Sequence, residues 1–184
     1  MYKRQTLHFV KSLYTAAVPV KIHDLNSELV ARMVTRRGPE CSVVSLEEAL
    51  GCDLVLLATN AGTPYVPMSV RFQPNQLILN ISLRDLHPES IKTANNVFDD
   101  VEHCLKANTT PHLLEQLNGN RDFVTGTLAE FICSEKQLDP DRPTVFSPFG
   151  LGILDLAVAQ SLYEHVQASG GGLRVPDFHG DMKR

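Results

Sequence analysis

The sequence lacks the features that mark several protein classes. Its four cysteines, at positions 41, 52, 104 and 133, form no CxxC pair, and their spacing fits neither a zinc site nor a disulfide framework. No run of about 18 apolar residues could cross a membrane, and the first twenty residues lack the apolar stretch of a signal peptide. These absences predict a cytoplasmic protein with reduced thiols and no metal site.

Charge of either sign is also modest. The chain has 17 Lys and Arg against 21 Asp and Glu, a formal net charge of −4. A mild negative charge predicts that neither nucleic acid nor an anionic membrane surface is the main partner. The hydrophobic content of 43% over 184 residues is ordinary for a globular protein and sufficient for one sizeable core.

Short apolar runs of strand length alternate with helical segments along the chain. Residues 54–58 and 77–81 are continuous apolar runs, which are typical of parallel strands buried on both faces. Further strands are predicted over residues 18–22, 41–44, 96–98 and 143–146. Helices are predicted over residues 6–14, 45–50, 88–93, 113–117, 123–133 and 153–168, with another after a Ser27 N-cap. This alternation predicts an α/β fold with a doubly wound parallel sheet.

Asp24 stands between the strand at residues 18–22 and the helix that follows. A doubly wound domain that binds a dinucleotide has at this place a carboxylate for the adenosine ribose hydroxyls. A carboxylate here would repel a 2′-phosphate and so favour NAD over NADP. The alternative is a plain turn aspartate, because Asp-x-Asn is common turn chemistry.

Three other segments combine small or polar residues with the ends of predicted strands. Residues 58–64, which include Ala58 and Thr59, and residues 147–152 would allow a ligand to approach the backbone closely; an ordinary turn is the alternative. Asp85 follows the strand at residues 77–81. A carboxylate there could orient an amine or move a proton, but the residues alone favour an N-cap for the helix after Pro88.

In this order and spacing, the motifs resemble the ornithine cyclodeaminase/μ-crystallin family over nearly the whole chain. Residues 80–86 (NISLRDL), 99–103 with 115–123, and 146–155 (FSPFGLGILD) are similar to the siderophore-type branch that makes 2,3-diaminopropionate. The resemblance implies a Rossmann-like sheet, NAD as cofactor and a small amino-acid substrate. It implies an N-(2-amino-2-carboxyethyl)-L-glutamate dehydrogenase that releases 2-oxoglutarate and 2,3-diaminopropionate, acting as a homodimer.

Site residues follow from the same resemblance. Asp85 matches the catalytic carboxylate, although Ser-Leu-Arg precedes it where cyclodeaminases have Gly-Gly, which suggests a different substrate. Asp24 would bind the ribose, Ala58 and Thr59 would lie along the cofactor, and Ser147 and Gly150 near the nicotinamide. Two alternatives stay open: ornithine cyclodeamination, ketimine reduction or another amino-acid dehydrogenase activity of the family, and a non-catalytic NAD(P)-binding protein like the μ-crystallins.

The resemblance also predicts what the chain does not contain. In the family a strand and a glycine-rich loop precede the helix predicted over residues 6–14, but the first glycine here is at position 38. We expect residues 6–169 to be an NAD-binding Rossmann domain without its first strand and glycine-rich loop. Residues 170–184 would be a C-terminal tail that packs on an absent N-terminal domain, and residues 1–5 a non-native leader.

We predict that the isolated chain is inactive and binds NAD poorly, because the pyrophosphate would have no glycine-rich loop to hold it. Titration calorimetry with NAD should give a dissociation constant much weaker than micromolar. A micromolar constant would contradict the expectation.

Overall fold

The computed structural model of the chain describes residues 12–13, 18–37 and 39–176. The predicted leader, most of the helix expected over residues 6–14, and residues 177–184 of the predicted tail lie outside the described residues. The chain divides into two compact units, Met1–Phe149 and Gly150–Arg184, and each is described by itself.

The described part of the first unit contains seven short strands that pair only in parallel. They are β1 (Val20–Ile22), β2 (Cys41–Val43), β3 (Leu54–Leu57), β4 (Leu77–Asn80), β5 (Asn95–Phe98), β6 (Val124–Thr127) and β7 (Thr144–Ser147). Five of them form one sheet in the order β3-β4-β7-β5-β6, and β1 and β2 form a separate pair. The predicted parallel α/β architecture is therefore confirmed.

The core lies around the middle of the five-stranded sheet. Ile78 in β4, Val145 in β7 and Phe98 in β5 have no exposed surface, and Leu86 and Leu114 pack into the same cluster. In β4 and β7 buried residues alternate with partly buried or exposed ones, so the expectation that the apolar run at residues 77–81 is buried on both faces is wrong. All four residues of β5 are buried.

The helices of the first unit are short and mostly begin at side-chain caps. They are α1 (Ser27–Arg37), α2 (Leu46–Leu50), a 3-10 turn (Pro88–Ile91), α3 (Val101–Cys104), α4 (Thr110–Asn118) and α5 (Leu128–Ile132). Ser45 and Glu48 form a reciprocal capping box at α2. The prediction that Ser27 caps α1 is wrong: Ser27 is the first helical residue, and the Leu29 amide donates to Asn26 Oδ1 at 3.0 Å.

The helix predicted over residues 123–133 is also wrong in its first half. Residues 124–127 form β6, which pairs with β5, and only Leu128–Ile132 is helical. The β-branched Val124, Thr125 and Thr127 favour a strand, and Thr127 then caps α5 by accepting from the Glu130 amide. Pairing with β5 therefore overrides a helical pattern that spans both elements.

A cavity of about 280 Å³ separates β1 from β3. The amide of Ile81, just after β4, donates to Leu57 O at 3.0 Å. The backbone groups of the odd-numbered residues of β3 therefore form their hydrogen bonds with β4. Because backbone groups alternate sides along a strand, those of Leu54 and Leu56 point towards the cavity. No strand among the described residues pairs with this edge of β3.

The facing edge of β1 has the same character. The Val44 amide donates to Ile22 O at 3.0 Å, and the Val20 amide donates to Glu40 O at 2.8 Å. The first and last residues of β1 therefore form its backbone hydrogen bonds on the β2 side. The backbone groups of Lys21 therefore point away from β2. Two open strand edges border one largely apolar cavity, and the described ranges supply no strand to fill it.

The described part of the second unit is dominated by the helix α6 (Gly152–Ser169), which agrees with the helix predicted over residues 153–168. It ends at Gly170, whose φ of +66° is in the left-handed region that favours glycine. Its larger apolar side chains are exposed, including Ile153, Leu156 and Leu162. No helix in the described ranges is long and apolar enough to cross a membrane.

Candidate active site

Several of the predicted site residues meet at one edge of the five-stranded sheet. Thr59 follows β3, Asp85 follows β4, and Ser147 is the last residue of β7. Neighbouring parallel strands point the same way, so these positions share the carboxyl edge, where open α/β sheets bind their ligands.

Asp85 is the centre of a hydrogen-bond network at this edge. Its side chain has no exposed surface. Thr59 Oγ1 donates to Asp85 Oδ1 at 2.6 Å, and Ser82 Oγ donates to Oδ2 at 2.6 Å. The Tyr65 hydroxyl reaches Oδ2 at 3.5 Å. A buried carboxylate is tolerated when donors replace its lost hydration, and here three hydroxyls do so.

The backbone of the two neighbouring loops is part of the same network. The Thr59 amide donates to Ser82 Oγ at 2.8 Å, and the amides of Tyr65 and Val66 donate to Asp85 O at 3.2 and 3.0 Å. No lysine or arginine of the described residues pairs with the Asp85 carboxylate. Neutral hydroxyl donors therefore hold the charge and join the loop after β3 to the loop after β4.

The alternative reading of Asp85 as a helix cap is wrong. The 3-10 turn after Pro88 is capped by His87, whose Nδ1 accepts from the Glu89 amide at 3.3 Å. The Asp85 side chain instead accepts hydrogen bonds from Thr59 and Ser82 and does not cap the turn.

Tyr65 is a site residue that the sequence did not indicate. Burial of its hydroxyl, and then the nearby charge of Asp85, raise the pKa of Tyr65 well above its usual range. The phenol is therefore protonated at neutral pH and acts as a donor to the carboxylate. Tyr65 as a residue is 39% exposed, so it extends from the buried carboxylate to the surface.

Ser147 is held by side chains of two separate elements, and a third contact holds the loop that follows it. Asn80 Nδ2 donates to Ser147 Oγ at 3.0 Å, and the Cys104 thiol donates to Ser147 O at 3.0 Å. The Phe149 amide donates to Asp99 Oδ1 at 3.0 Å, which fixes the loop just beyond. Burial raises the pKa of Cys104 to about 12, so the thiol is a structural donor and has no nucleophilic character at neutral pH.

The predicted cofactor residues are distributed over two places. Asp24, Ala58 and Thr59 all line the 280 Å³ cavity between β1 and β3. Asp24 is exposed and its Oδ1 accepts from the Asn26 amide at 3.0 Å, so the turn contact weighed for it is present as well. Ser147 lies beside Asn80, and Gly150 begins the second unit with a φ of +105°.

Proteins of known activity resemble this chain in sequence. N-((2S)-2-amino-2-carboxyethyl)-L-glutamate dehydrogenase of Staphylococcus aureus is 28% identical over 160 residues, which are 80% of this chain and 47% of the relative. The NAD(P)H-dependent anabolic L-arginine dehydrogenase of Pseudomonas aeruginosa is 30% identical over 133 residues, 67% of this chain and 42% of the relative. No protein-family model matches the sequence.

Solved structures share the fold. An archaeal alanine dehydrogenase dimer with bound NAD has a TM-score of 0.76 at 24% sequence identity. The match covers 94% of this chain and 57% of the alanine dehydrogenase chain. A probable ornithine cyclodeaminase from Bordetella pertussis Tohama I has a TM-score of 0.63 at 21% identity, over 84% of this chain and 53% of its own. The homologues and structural neighbours of this chain are proteins of the ornithine cyclodeaminase/μ-crystallin family.

The chain spans about half the length of the curated relatives it matches. Its described residues contain no group of histidine, cysteine, aspartate or glutamate side chains that could hold a metal ion.

We predict that Thr59→Val destabilises the chain by about 2 kcal/mol, because it leaves one oxygen of a fully buried carboxylate without its donor. Thr59→Ser is the matched control, since it keeps the hydroxyl and loses only a methyl group. Urea unfolding measures both. Equal losses for valine and serine would show that the hydroxyl does not support Asp85.

Proposed function

We propose that this chain is the larger part of the cofactor domain of an NAD-dependent amino-acid dehydrogenase. One observation carries the proposal: Thr59 lines the cavity that Asp24 and Ala58 also line, and its hydroxyl bonds the buried Asp85 carboxylate. A single residue thus joins the predicted cofactor path to the predicted catalytic group. The relatives are named as dehydrogenases of amino acids or of an amino-acid conjugate, which supports a dehydrogenase reaction for this chain.

The residues at the two ends of the expected cofactor site fit NAD. Asp24 offers an exposed carboxylate to ribose hydroxyls, and Ala58 is small enough for the backbone to be approached. The pyrophosphate in the middle of NAD has no glycine-rich loop here to bind it, since no glycine precedes position 38. We propose that the complete enzyme carries a further strand between β1 and β3, with a glycine-rich loop at its carboxyl end. The open edges of Leu54, Leu56 and Lys21 support this strand.

NAD, when bound, supplies the hydride acceptor. The residues of this chain have to orient the substrate amine and balance its charge. As a hydride leaves the carbon next to a secondary amine, the nitrogen lone pair forms the C=N bond and positive charge develops on nitrogen. Water then adds to that carbon, and its C–N bond breaks to give a ketone and a primary amine.

Asp85 would stabilise the developing positive charge through its electrostatic field, with its hydroxyl donors standing between the carboxylate and the substrate. A negative charge in a water-poor site acts more strongly than one in bulk water. The hydroxyls of Tyr65 and Thr59, which donate to the carboxylate, become better acceptors for a substrate N–H because hydrogen bonds in a chain polarise one another. Proton movement from the amine would follow the same hydroxyls.

The proposed substrate is N-(2-amino-2-carboxyethyl)-L-glutamate, cleaved to 2-oxoglutarate and 2,3-diaminopropionate as a precursor for a siderophore or an antibiotic. Arg84 supports an anionic substrate. Its guanidinium donates to Gly62 O at 3.3 Å and Ala107 O at 3.2 Å, and no carboxylate of the described residues pairs with it. Ornithine carries one carboxylate and the conjugate three, so the unpaired charge of Arg84 favours the conjugate. We further propose a homodimer.

The activity is tested by joining this chain to the part of the staphylococcal relative that precedes the matched region. This fusion is called the completed enzyme below. We predict that it reduces NAD when given the glutamate conjugate, and that Asp85→Asn lowers kcat by about 100-fold or more. NADH absorbance and product chromatography give the readout. Ammonia release from ornithine without net NADH would indicate cyclodeamination and contradict the proposal.

We also predict that Asp24→Ser in the completed enzyme raises KM for NAD by about tenfold and lowers KM for NADP, because the carboxylate that binds the ribose and repels a 2′-phosphate is gone. Asp141→Ser, an exposed aspartate that does not line the cavity, is the control. Kinetics with both cofactors measure the change. Tight NADP binding by the unsubstituted enzyme would overturn the role given to Asp24.

A further inference from the structure

Asn80 is the last residue of β4, and only half of its side-chain amide is used within the protein. The side chain is 2% exposed, and its Nδ2 donates to Ser147 Oγ at 3.0 Å. Asn80 Oδ1 is buried and has no hydrogen-bond partner among the described residues. Buried carbonyl oxygens are nearly always paired, so this one calls for a donor from outside the described chain.

The amide faces a small opening at the carboxyl edge, beside the loop of Ser147 and Phe149. Its volume is about 10 Å³, so it admits one group the size of a water molecule or an amide N–H. The other polar side chains around it are already engaged. Ser82 Oγ donates to Asp85, and the Cys104 thiol donates to Ser147 O.

What the opening presents is therefore one acceptor and one donor side by side. Asn80 Oδ1 is the acceptor. Ser147 Oγ accepts from Asn80 Nδ2, and its own hydrogen has no acceptor among the described residues, so it is the donor. A primary carboxamide has the complementary arrangement, with an N–H beside a carbonyl oxygen.

We propose that Asn80 Oδ1 and Ser147 Oγ together bind the carboxamide of the nicotinamide ring, which makes Asn80 a cofactor-binding residue. This inference rests on the proposed function, because NAD is the ligand that brings a primary carboxamide to this edge. The proposed amino-acid substrate has none. The carboxamide N–H would enter the opening towards Asn80, and its oxygen would face Ser147, which fixes the plane of the ring at the sheet edge.

The test compares NAD with 3-acetylpyridine adenine dinucleotide, in which a methyl group replaces the carboxamide NH2. Titration calorimetry on the completed enzyme measures both dissociation constants without any need for turnover. We expect NAD to bind about tenfold or more tightly than the analogue, because the analogue leaves Asn80 Oδ1 unpaired. Asn80→Leu, which keeps the side-chain shape, should bring this ratio close to one.

Ser147→Ala is the matched variant. It should weaken both ligands by a similar factor and leave the ratio unchanged, since both retain the carbonyl oxygen that Ser147 would bind. Circular dichroism checks that each variant is folded. If Asn80→Leu does not fold, the ratios of the unsubstituted enzyme and of Ser147→Ala decide.

Equal binding of the two dinucleotides by the unsubstituted enzyme overturns the inference and leaves the proposed function standing. A preference for NAD that persists in Asn80→Leu, or that disappears in Ser147→Ala, also overturns it. Failure of the unsubstituted enzyme to bind either dinucleotide contradicts the proposed function itself.

Discussion

The burial of one carboxylate governs the arrangement of the whole site. Asp85 has no exposed surface and no cationic partner among the described residues, so its charge depends on hydroxyl donors. Thr59 and Ser82 donate at 2.6 Å, and each stands in a different loop. Loss of either donor would leave a charge in a water-poor environment, which is costly. The requirement to satisfy Asp85 therefore fixes the loop after β3 relative to the loop after β4.

The parallel sheet makes this arrangement possible. Because β3, β4 and β7 pair in parallel, residues that are far apart in sequence end at the same edge. Ser147 is 67 positions from Asn80, yet the two side chains bond at 3.0 Å. The edge thus gathers a carboxylate, hydroxyls and an amide on a rigid frame, and a site on strand ends is held more precisely than one on free loops.

Much of this could be predicted from the sequence, because the relevant signals are local. The apolar runs at residues 54–58 and 77–81 predict the strands, and the polar residues that follow them predict the edge where Thr59 and Asp85 meet. The position of Asp24 after β1 was also predictable. Residues 124–127 were not, since pairing with β5 decides their conformation and no short-range pattern records it.

Side-chain partners were the least predictable part of the site. Asp85 could be recognised by its motif, but the donors that bury it depend on how two loops fold against each other. Tyr65 lies outside every quoted motif. Asn80 begins the motif at residues 80–86 and ends the apolar run Leu-Ile-Leu-Asn, but neither signal gives its side chain a role. The sequence predicts Ser27 as the cap of α1, but Asn26 and Ser27 are both good caps, and the backbone geometry selects Asn26.

A crystal structure of the completed enzyme with bound NADH tests the central claim most directly, which is that this sheet edge is one site for cofactor and substrate. The account predicts the adenosine ribose hydroxyls within hydrogen-bond distance of Asp24 and the cofactor passing Ala58 and Thr59. The nicotinamide would lie at the edge between the Asp85 network and Ser147. NADH bound elsewhere, or with its ribose away from Asp24 and its nicotinamide away from this edge, would contradict the account.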